Sequence, residues 1–257
     1  MIRGLAASVK ALVFLSLTLP LMPIQAALLF FKHPAARALP HIYHRMVCRI
    51  LRVELQIEGK VPSAGLIVAN HVSWLDIPVL SAAARVSFVA KKDVANWPIF
   101  GTLARLQNTV FVDRERRHST GQSRNEMLHR LKAGETLVLF PEGTSNNGRR
   151  LQPFKSSFFA AAEGIHIPIA PVTLVYQSQH GLPLTLRQWP SIAWYGDMNL
   201  LPHLWQALKG GPLEVRVIFH PALSLAELGH RKALAAAAQK AIKQALAENL
   251  HQNSKMR

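Results

Sequence analysis

Residues 65–80, GLIVANHVSWLDIPVL, change character twice in a short space. The opening GLIVAN is a brief apolar run of strand length, the pattern of a strand buried on both faces in a parallel sheet. The run stops at Asn70-His71, and over 75–84 the apolar spacing predicts a helix. A buried strand that feeds a helix through a polar turn is the repeating unit of an α/β sheet. In such sheets ligands collect in the crevice beyond the carboxyl ends of the strands.

The pattern repeats on both sides. VELQIEG, residues 53–59, alternates and reads as a strand, and further strands are expected at 86–90, 109–112, 136–140, 169–176, 192–195 and 213–219. Helical spacing fills 97–106, 119–133 (closed by Gly134) and 154–163 (closed by Gly164). The expected fold is α/β, a mixed, largely parallel sheet flanked by helices, occupying 53–223. From Ser224 a capping box with Glu227 opens a C-terminal amphipathic segment, 224–257, whose Leu234, Ala238, Ile242, Leu246 and Leu250 fall on one face. That stripe suits a terminal helix packed on the core. No internal repeat or low-complexity linker is visible.

Thirty Lys and Arg against 14 Asp and Glu give a formal charge of +16, which calls for an anionic partner: nucleic acid, a membrane surface or an acidic substrate. A hydrophobic content of 49% favours the membrane. Cys48 is the only cysteine, so no intramolecular disulfide forms, in keeping with a reducing compartment. Residues 1–52 contain no acidic residue but carry Arg3, Lys10, Lys32, Arg37, Arg45, Arg49 and Arg52. Within them the uncharged run 11–31 would reach about 31 Å as a helix, one hydrocarbon thickness. Pro20 and Pro23 interrupt it, so a kinked or re-entrant helical pair competes with a straight span. The alternatives are a buried core helix and a cleaved signal peptide, but PIQA places Ile24 where cleavage favours a small residue. Residues 1–52 therefore read as a retained membrane anchor. Its basic flanks suit anionic headgroups on the cytoplasmic face of the inner membrane.

Three strand ends carry unusual chemistry. GLIVAN runs into His71 and Asp76, TVFV into Asp113-Arg114, and TLVLF into PEGTSNNG, 141–148. If these strands are parallel neighbours, a histidine, an arginine and a Glu-Gly loop share one crevice. On a single helix His71 and Asp76 would point roughly 140° apart, so contact requires His71 in the turn and Asp76 in the first helical turn. Ser73-x-x-Asp76 also reads as a capping box. A cap and a base with its orienting carboxylate both fit these residues, whereas no further His or Cys cluster completes a metal shell. Arg114 directly follows a buried strand and is expected to point into the crevice, while Arg116 and Arg117 read as a solvated surface. PEGTSNNG offers N–H groups and a carboxylate, or is an ordinary Gly- and Asn-rich turn. Arg149, Arg150 and Lys155 add positive charge. His166 and His180 read as surface or core residues.

NHVSWLD, TVFVDR, FPEGT and PIAPV resemble, in order and spacing, the four blocks of the glycerolipid acyltransferase family, which includes the lysophosphatidate acyltransferases; the likeness spans about 65–176. No helix-turn-helix or RNA-binding signature is visible, and aromatics are only 7%, so no nucleic-acid partner is expected. The resemblance implies that His71 is the general base and Asp76 its orienting partner. It also implies that Arg114, Glu142, Gly143 and Thr144 bind the acceptor, that Pro171 shapes the pocket, and that Arg149 and Lys155 are auxiliary. The donor it implies is a fatty acyl thioester of acyl carrier protein or coenzyme A, with membrane lipids as partners and neither metal nor other cofactor. Many members that take phosphate acceptors carry an arginine directly after EGT, where this chain has Ser145. EGTSNNGRRLQPFKSS is more similar to the lyso-ornithine lipid acyltransferases, whose acceptor has no phosphate. The alternatives are a 1-acyl-sn-glycerol-3-phosphate acyltransferase and, in a different class, a non-catalytic lipid-binding protein.

Overall fold

A computed structural model describes residues 2–113, 117–148, 150–163 and 167–255. Two helices come first, α1 (Ile2–Phe30) and α2 (Ala35–Leu51), and then β1 (Val53–Glu58), β2 (Gly65–Ala69), α3 (Asp76–Ala83) and β3 (Ser87–Lys91). The chain continues through α4 (Phe100–Leu106), β4 (Val110–Val112), α5 (Arg117–Lys132), β5 (Thr136–Leu139) and β6 (Ile169–Gln179). It ends with β7 (Leu182–Pro183), α6 (Leu200–Lys209), β8 (Leu213–Phe219), α7 (Leu225–Leu228) and α8 (Arg231–Lys255).

The strands form one sheet in the order β1-β8-β6-β2-β5-β3-β4, with β7 paired to the end of β6. The pairs from β6 to β4 are all parallel; β8 runs antiparallel to β6 and carries β1 parallel to itself. The sheet is thus mixed and largely parallel, as the alternation of elements predicts. β2 lies at its centre, Val68 standing between Leu139 of β5 and Pro171 of β6.

Every residue of β2 is buried, because both faces of the sheet are covered. Ile67 and Ala69 pack with Val138, Val172, Val217 and residues of α2 and α3 on one face. Leu66 and Val68 pack with Leu137, Leu139 and residues of α5 and α8 on the other. Burying each such aliphatic side chain contributes about 1.5–3 kcal/mol, which explains the absence of polar alternation in GLIVAN. On α8, Leu234, Ala238 and Ile242 are fully buried against the sheet, so the stripe in the tail is a core stripe.

The N-terminal helices form an antiparallel hairpin. Thr18 Oγ1 on α1 meets Tyr43 OH on α2 at 2.9 Å, and Gln25 Nε2 donates to the Ala36 carbonyl at 2.9 Å. α1 continues through Pro20 and Pro23, and its 29 residues extend about 43 Å. Arg3–Phe30 has a mean hydropathy of 2.0, and only 11% of its apolar window is buried within the protein. Among the described residues this is the one helix long and apolar enough to cross a membrane.

Two expected elements differ. Residues 192–195 are not a strand: a short 3-10 turn, Trp189–Ser191, leads into them, and Trp194 N donates to Val72 O from above the sheet edge. Residues 154–163 form a 3-10 helix, Ser156–Ala162, rather than an α-helix. α6 is a further helix, beyond those expected, whose start Asn199 caps by accepting from Leu201 N at 3.2 Å.

Candidate active site

At the end of β2 the Asn70 side chain takes the place of a peptide. Its Nδ2 donates to Leu174 O at 3.0 Å and its Oδ1 accepts from Leu174 N at 2.8 Å, which extends the pairing with β6 by one residue. The chain then leaves the sheet at His71. Asp76, fully buried, is the first residue of α3. Its Oδ2 accepts from His71 Nδ1 at 2.7 Å, from Val72 N at 2.7 Å and from Ser73 N at 2.9 Å, and its Oδ1 accepts from Tyr176 OH at 2.5 Å. One carboxylate oxygen thus both satisfies the loop N–H groups and meets the imidazole; of the expected capping box only the Asp76 half forms, since Asp76 N donates to Ser73 O and Ser73 Oγ is buried without a partner among the described residues. Backbone donors already occupy that oxygen, so Nδ1 is the protonated ring nitrogen and Nε2 keeps a lone pair. The imidazole is 19% exposed and stacks on Phe140, with ring centroids 4.1 Å apart.

β5 is the parallel neighbour of β2, so the Glu-Gly loop comes out beside His71. Glu142 is buried and bonds in three directions. Oε1 accepts from His71 N at 2.7 Å, while Oε2 accepts from Asn146 Nδ2 at 2.6 Å and Gln152 N at 2.7 Å. Burial pushes its carboxyl up to about 7, against the pull of the His71 and Gln152 N–H groups. Asn146 N also donates to His71 O at 3.1 Å, and Lys155 N donates to Pro141 O at 3.0 Å, joining the two ends of the loop. Gly143, at φ +82°, ends a tight turn in which its N–H donates to Phe140 O, a backbone conformation that favours glycine.

Tyr176 was not singled out in the sequence, where it closes the block that begins PIAPV. Burial and the Asp76 charge raise its phenol well above the usual range, so its proton stays on the oxygen facing Asp76. Trp189 packs edge-on to Tyr176 and lies over Gly148, where a Cβ would clash with the indole. The Asn-Gly end of the loop and the far side of Asp76 thus share a wall.

Below the dyad loop an apolar cavity of about 250 Å³ opens between α1, α2, α3, α4 and β3. Phe14, Leu21, Leu39, Trp74, Ile77 and Phe88 are among its lining residues. Phe88 links it to the dyad, stacking on Phe140, which stacks on His71. Several polar groups of the wall are bonded: Thr18 Oγ1 meets Tyr43 OH, and behind the wall His44 Nδ1 meets Ser81 Oγ at 2.9 Å while Gln107 Nε2 donates to Ser81 Oγ and to Val86 O.

The remaining expected residues are more dispersed. Thr144 is exposed, Ser145 half-buried, and the Lys155 side chain exposed. Pro171 is buried inside β6, in register with Val68. β4 ends two strands beyond β5, and its Asp113 pairs with Lys92 at 3.2 Å. Arg114 and Arg149 lie outside the described residues. Among the described residues no group of three or more His, Cys, Asp or Glu is arranged to hold a metal ion.

Comparison with known proteins agrees with this arrangement. The profile of the Acyltransferase family matches residues 52–175. Over 99% of its length the chain is 38% identical to a lyso-ornithine lipid O-acyltransferase of Rhizobium meliloti (strain 1021), covering 90% of that protein. It is 40% identical, over 88% of each chain, to a lyso-ornithine lipid O-acyltransferase of Brucella abortus (strain 2308). Over 73% of its length it is 32% identical to a 1-acyl-sn-glycerol-3-phosphate acyltransferase of Neisseria meningitidis serogroup B, covering 71% of that protein. The fold is shared with the 1-acyl-sn-glycerophosphate (LPA) acyltransferase PlsC from Thermotoga maritima, with a TM-score of 0.67 at 20% identity across 96% of this chain and 94% of the other. A histidine–carboxylate pair at the carboxyl edge of a largely parallel sheet, with relatives of this similarity along nearly its whole length, makes the chain an acyltransferase and a member of the Acyltransferase family.

Proposed function

We propose that the protein transfers a fatty acyl group from an acyl thioester to the free hydroxyl of lyso-ornithine lipid, giving ornithine lipid. The observation that carries the reading is the 2.7 Å bond from His71 Nδ1 to a fully buried Asp76, which leaves Nε2 as a base at the mouth of the crevice. A hydroxyl is too weakly acidic to attack a thioester unaided. His71 Nε2 takes its proton as the C–O bond forms, a contribution of roughly 10²–10⁴ in rate. Asp76 holds the tautomer and stabilises the imidazolium. Collapse of the tetrahedral intermediate breaks the C–S bond, and the imidazolium returns the proton to the departing thiolate. The donor is a thioester of acyl carrier protein or coenzyme A, and its chain fits the apolar cavity. Glu142 acts on the site by holding the backbone of His71 and the acceptor loop together, since both its oxygens are already bonded.

The acceptor assignment rests on Ser145 and on relatives named for lyso-ornithine lipid. Arginine is the favoured bidentate ligand of phosphate, and a zwitterionic headgroup needs no such clamp. Arg114, Gly143, Thr144 and the auxiliary Arg149 and Lys155 are assigned to the headgroup, and Pro171 to the sheet beneath it. The enzyme is assigned to the cytoplasmic face of the inner membrane, a reading supported by the apolar α1 and by the basic residues of 1–52. The test is direct competition between lyso-ornithine lipid and lysophosphatidate at equal surface concentration. The expected outcome is a higher kcat/KM for lyso-ornithine lipid, with Ser145→Arg moving the ratio ten- to a hundredfold towards lysophosphatidate, the equivalent of about 1.5–3 kcal/mol. A wild-type preference for lysophosphatidate would overturn the assignment in favour of phosphatidate synthesis.

A further inference from the structure

Beside the cavity the surface is unusually apolar. Ile99, 67% exposed, sits at φ +65° and ψ −55°, the centre of a γ-turn closed by Phe100 N donating to Pro98 O at 2.7 Å. A β-branched residue at positive φ is strained, and here the strain holds an isoleucine out in the open. Next to it Trp97, 37% exposed, both lines the cavity and meets Trp194 edge-on at 5.8 Å. The chain beyond Trp194 enters α6, where Leu200 lines the same cavity while Leu201 (66% exposed) and Trp205 (36%) face outward.

α6 is also tied to α1. Lys10 Nζ donates to Leu208 O at 2.9 Å and to Gly210 O at 3.1 Å, so an α1 cation caps the carboxyl end of α6. α1 exposes Leu5, Leu12 and Leu19, seven residues apart and hence on one face. Lys209 lies over the Trp205 ring, and Lys91 and Arg105 are exposed near the Ile99 turn. Tryptophan beside lysine, with aliphatics further out, is the composition of a protein edge at a membrane–water interface.

We propose that the Trp97–Ile99 turn and the outer face of α6 form a second lipid-docking surface that seats in the interface of an anionic bilayer beside α1. This rests on the membrane placement of α1 proposed above and adds a function to it. Trp97 and Leu200 belong to both the rim and the cavity wall, so an acyl chain passes from bilayer to cavity without crossing water.

Cys48 is 3% exposed, with burial pushing its thiol up to about 12, so a cysteine introduced at the surface takes a label selectively. The test uses full-length Ile99→Cys, Leu201→Cys and, as a control on α8 across the sheet, Ala236→Cys. Each carries a nitrobenzoxadiazole probe and is mixed with phosphatidylcholine–phosphatidylglycerol vesicles. The probes at 99 and 201 are expected to brighten severalfold, shift to the blue and be quenched by brominated acyl chains, while the probe at 236 keeps its emission in buffer. Leu201→Asp with Trp205→Asp is expected to weaken vesicle partitioning at least tenfold with an unchanged far-UV spectrum. Co-sedimentation with probes 99 and 201 still reporting water overturns this surface alone. Failure of the unmodified chain to co-sediment overturns the α1 placement and this surface together.

Discussion

Asp76 accepts four hydrogen bonds at 2.9 Å or less, whereas the cavity wall a few residues away is built mostly from aliphatic and aromatic side chains. The first region is set by direction: each donor fixes an angle, and a buried carboxylate that loses a partner bears the full cost of the missing bond. The second is set by volume, because dispersion and burial have no preferred angle. Under the proposed function the consequence is a division of labour, with proton transfer demanding particular atoms at one end and chain selection demanding only space at the other. Mutations should therefore be punished abruptly around His71 and gradually around the cavity.

The largest test of that contrast is a graded series at the polar end. His71→Ala is expected to lower acyl transfer by 10²–10⁴ with unchanged folding and vesicle binding. Asp76→Asn should lose less, since an amide still accepts from the loop but no longer stabilises an imidazolium. Tyr176→Phe should cost roughly tenfold in kcat, the loss of one hydrogen bond to a charged group. Turnover of His71→Ala within a few-fold of wild type would remove the base from the mechanism.

A polar group inside the volume-set region gives the next effect. Burial drives the His44 imidazole down to about 4, so it stays neutral in the fold while the unfolded chain takes up a proton near 6.5. Its contribution is fully present above about pH 6.5 and is lost as pH falls towards 4, a difference of roughly 3 kcal/mol. Denaturant unfolding at pH 7.5 and 4.5 should show this drop, and His44→Gln should shrink it. An equal drop in both proteins would assign the titration to other groups.

The smallest effect belongs to the cavity itself. Ala104→Phe adds volume in the wall on α4 and is expected to shift preference to shorter acyl chains, about fourfold per excluded methylene at ~0.8 kcal/mol each. Maximal turnover on the best chain should be little changed. An all-or-none loss across chain lengths would mean that the cavity wall is as exacting as the dyad.

The same contrast separates what the sequence disclosed from what it did not. GLIVAN announced a buried parallel strand because covering both faces removes polar alternation, and the run into His71 located the crevice. The partner strand β5 and its Glu-Gly loop were legible for the same reason. Tyr176 was not, because its bond to Asp76 joins residues 100 apart and depends on β6 lying beside β2, which no local period encodes. The apolar stretch 192–195 read as a strand, yet the end of β6 on that side is already paired to β8 and β7, so the stretch crosses over the dyad loop instead. α6 had a usable start signal in Asn199 and a stop in Gly210. Its outward leucine and tryptophan break the stripe expected of a helix facing only the core.

The bond between Lys155 N and Pro141 O draws together the ends of the segment that carries Glu142, Gly143, Thr144 and Ser145. A stretch closed at its neck is a compact Ω-loop, and its interior can be rewritten without moving the strands that support it. On the proposed assignment, the headgroup contacts other than Arg114 thereby fall within one exchangeable cassette. Evolution can alter the headgroup taken by such an enzyme through changes inside 142–154, provided Glu142 keeps its hold on His71. Transplanting that cassette whole from a phosphate-accepting relative should carry much of the headgroup choice with it.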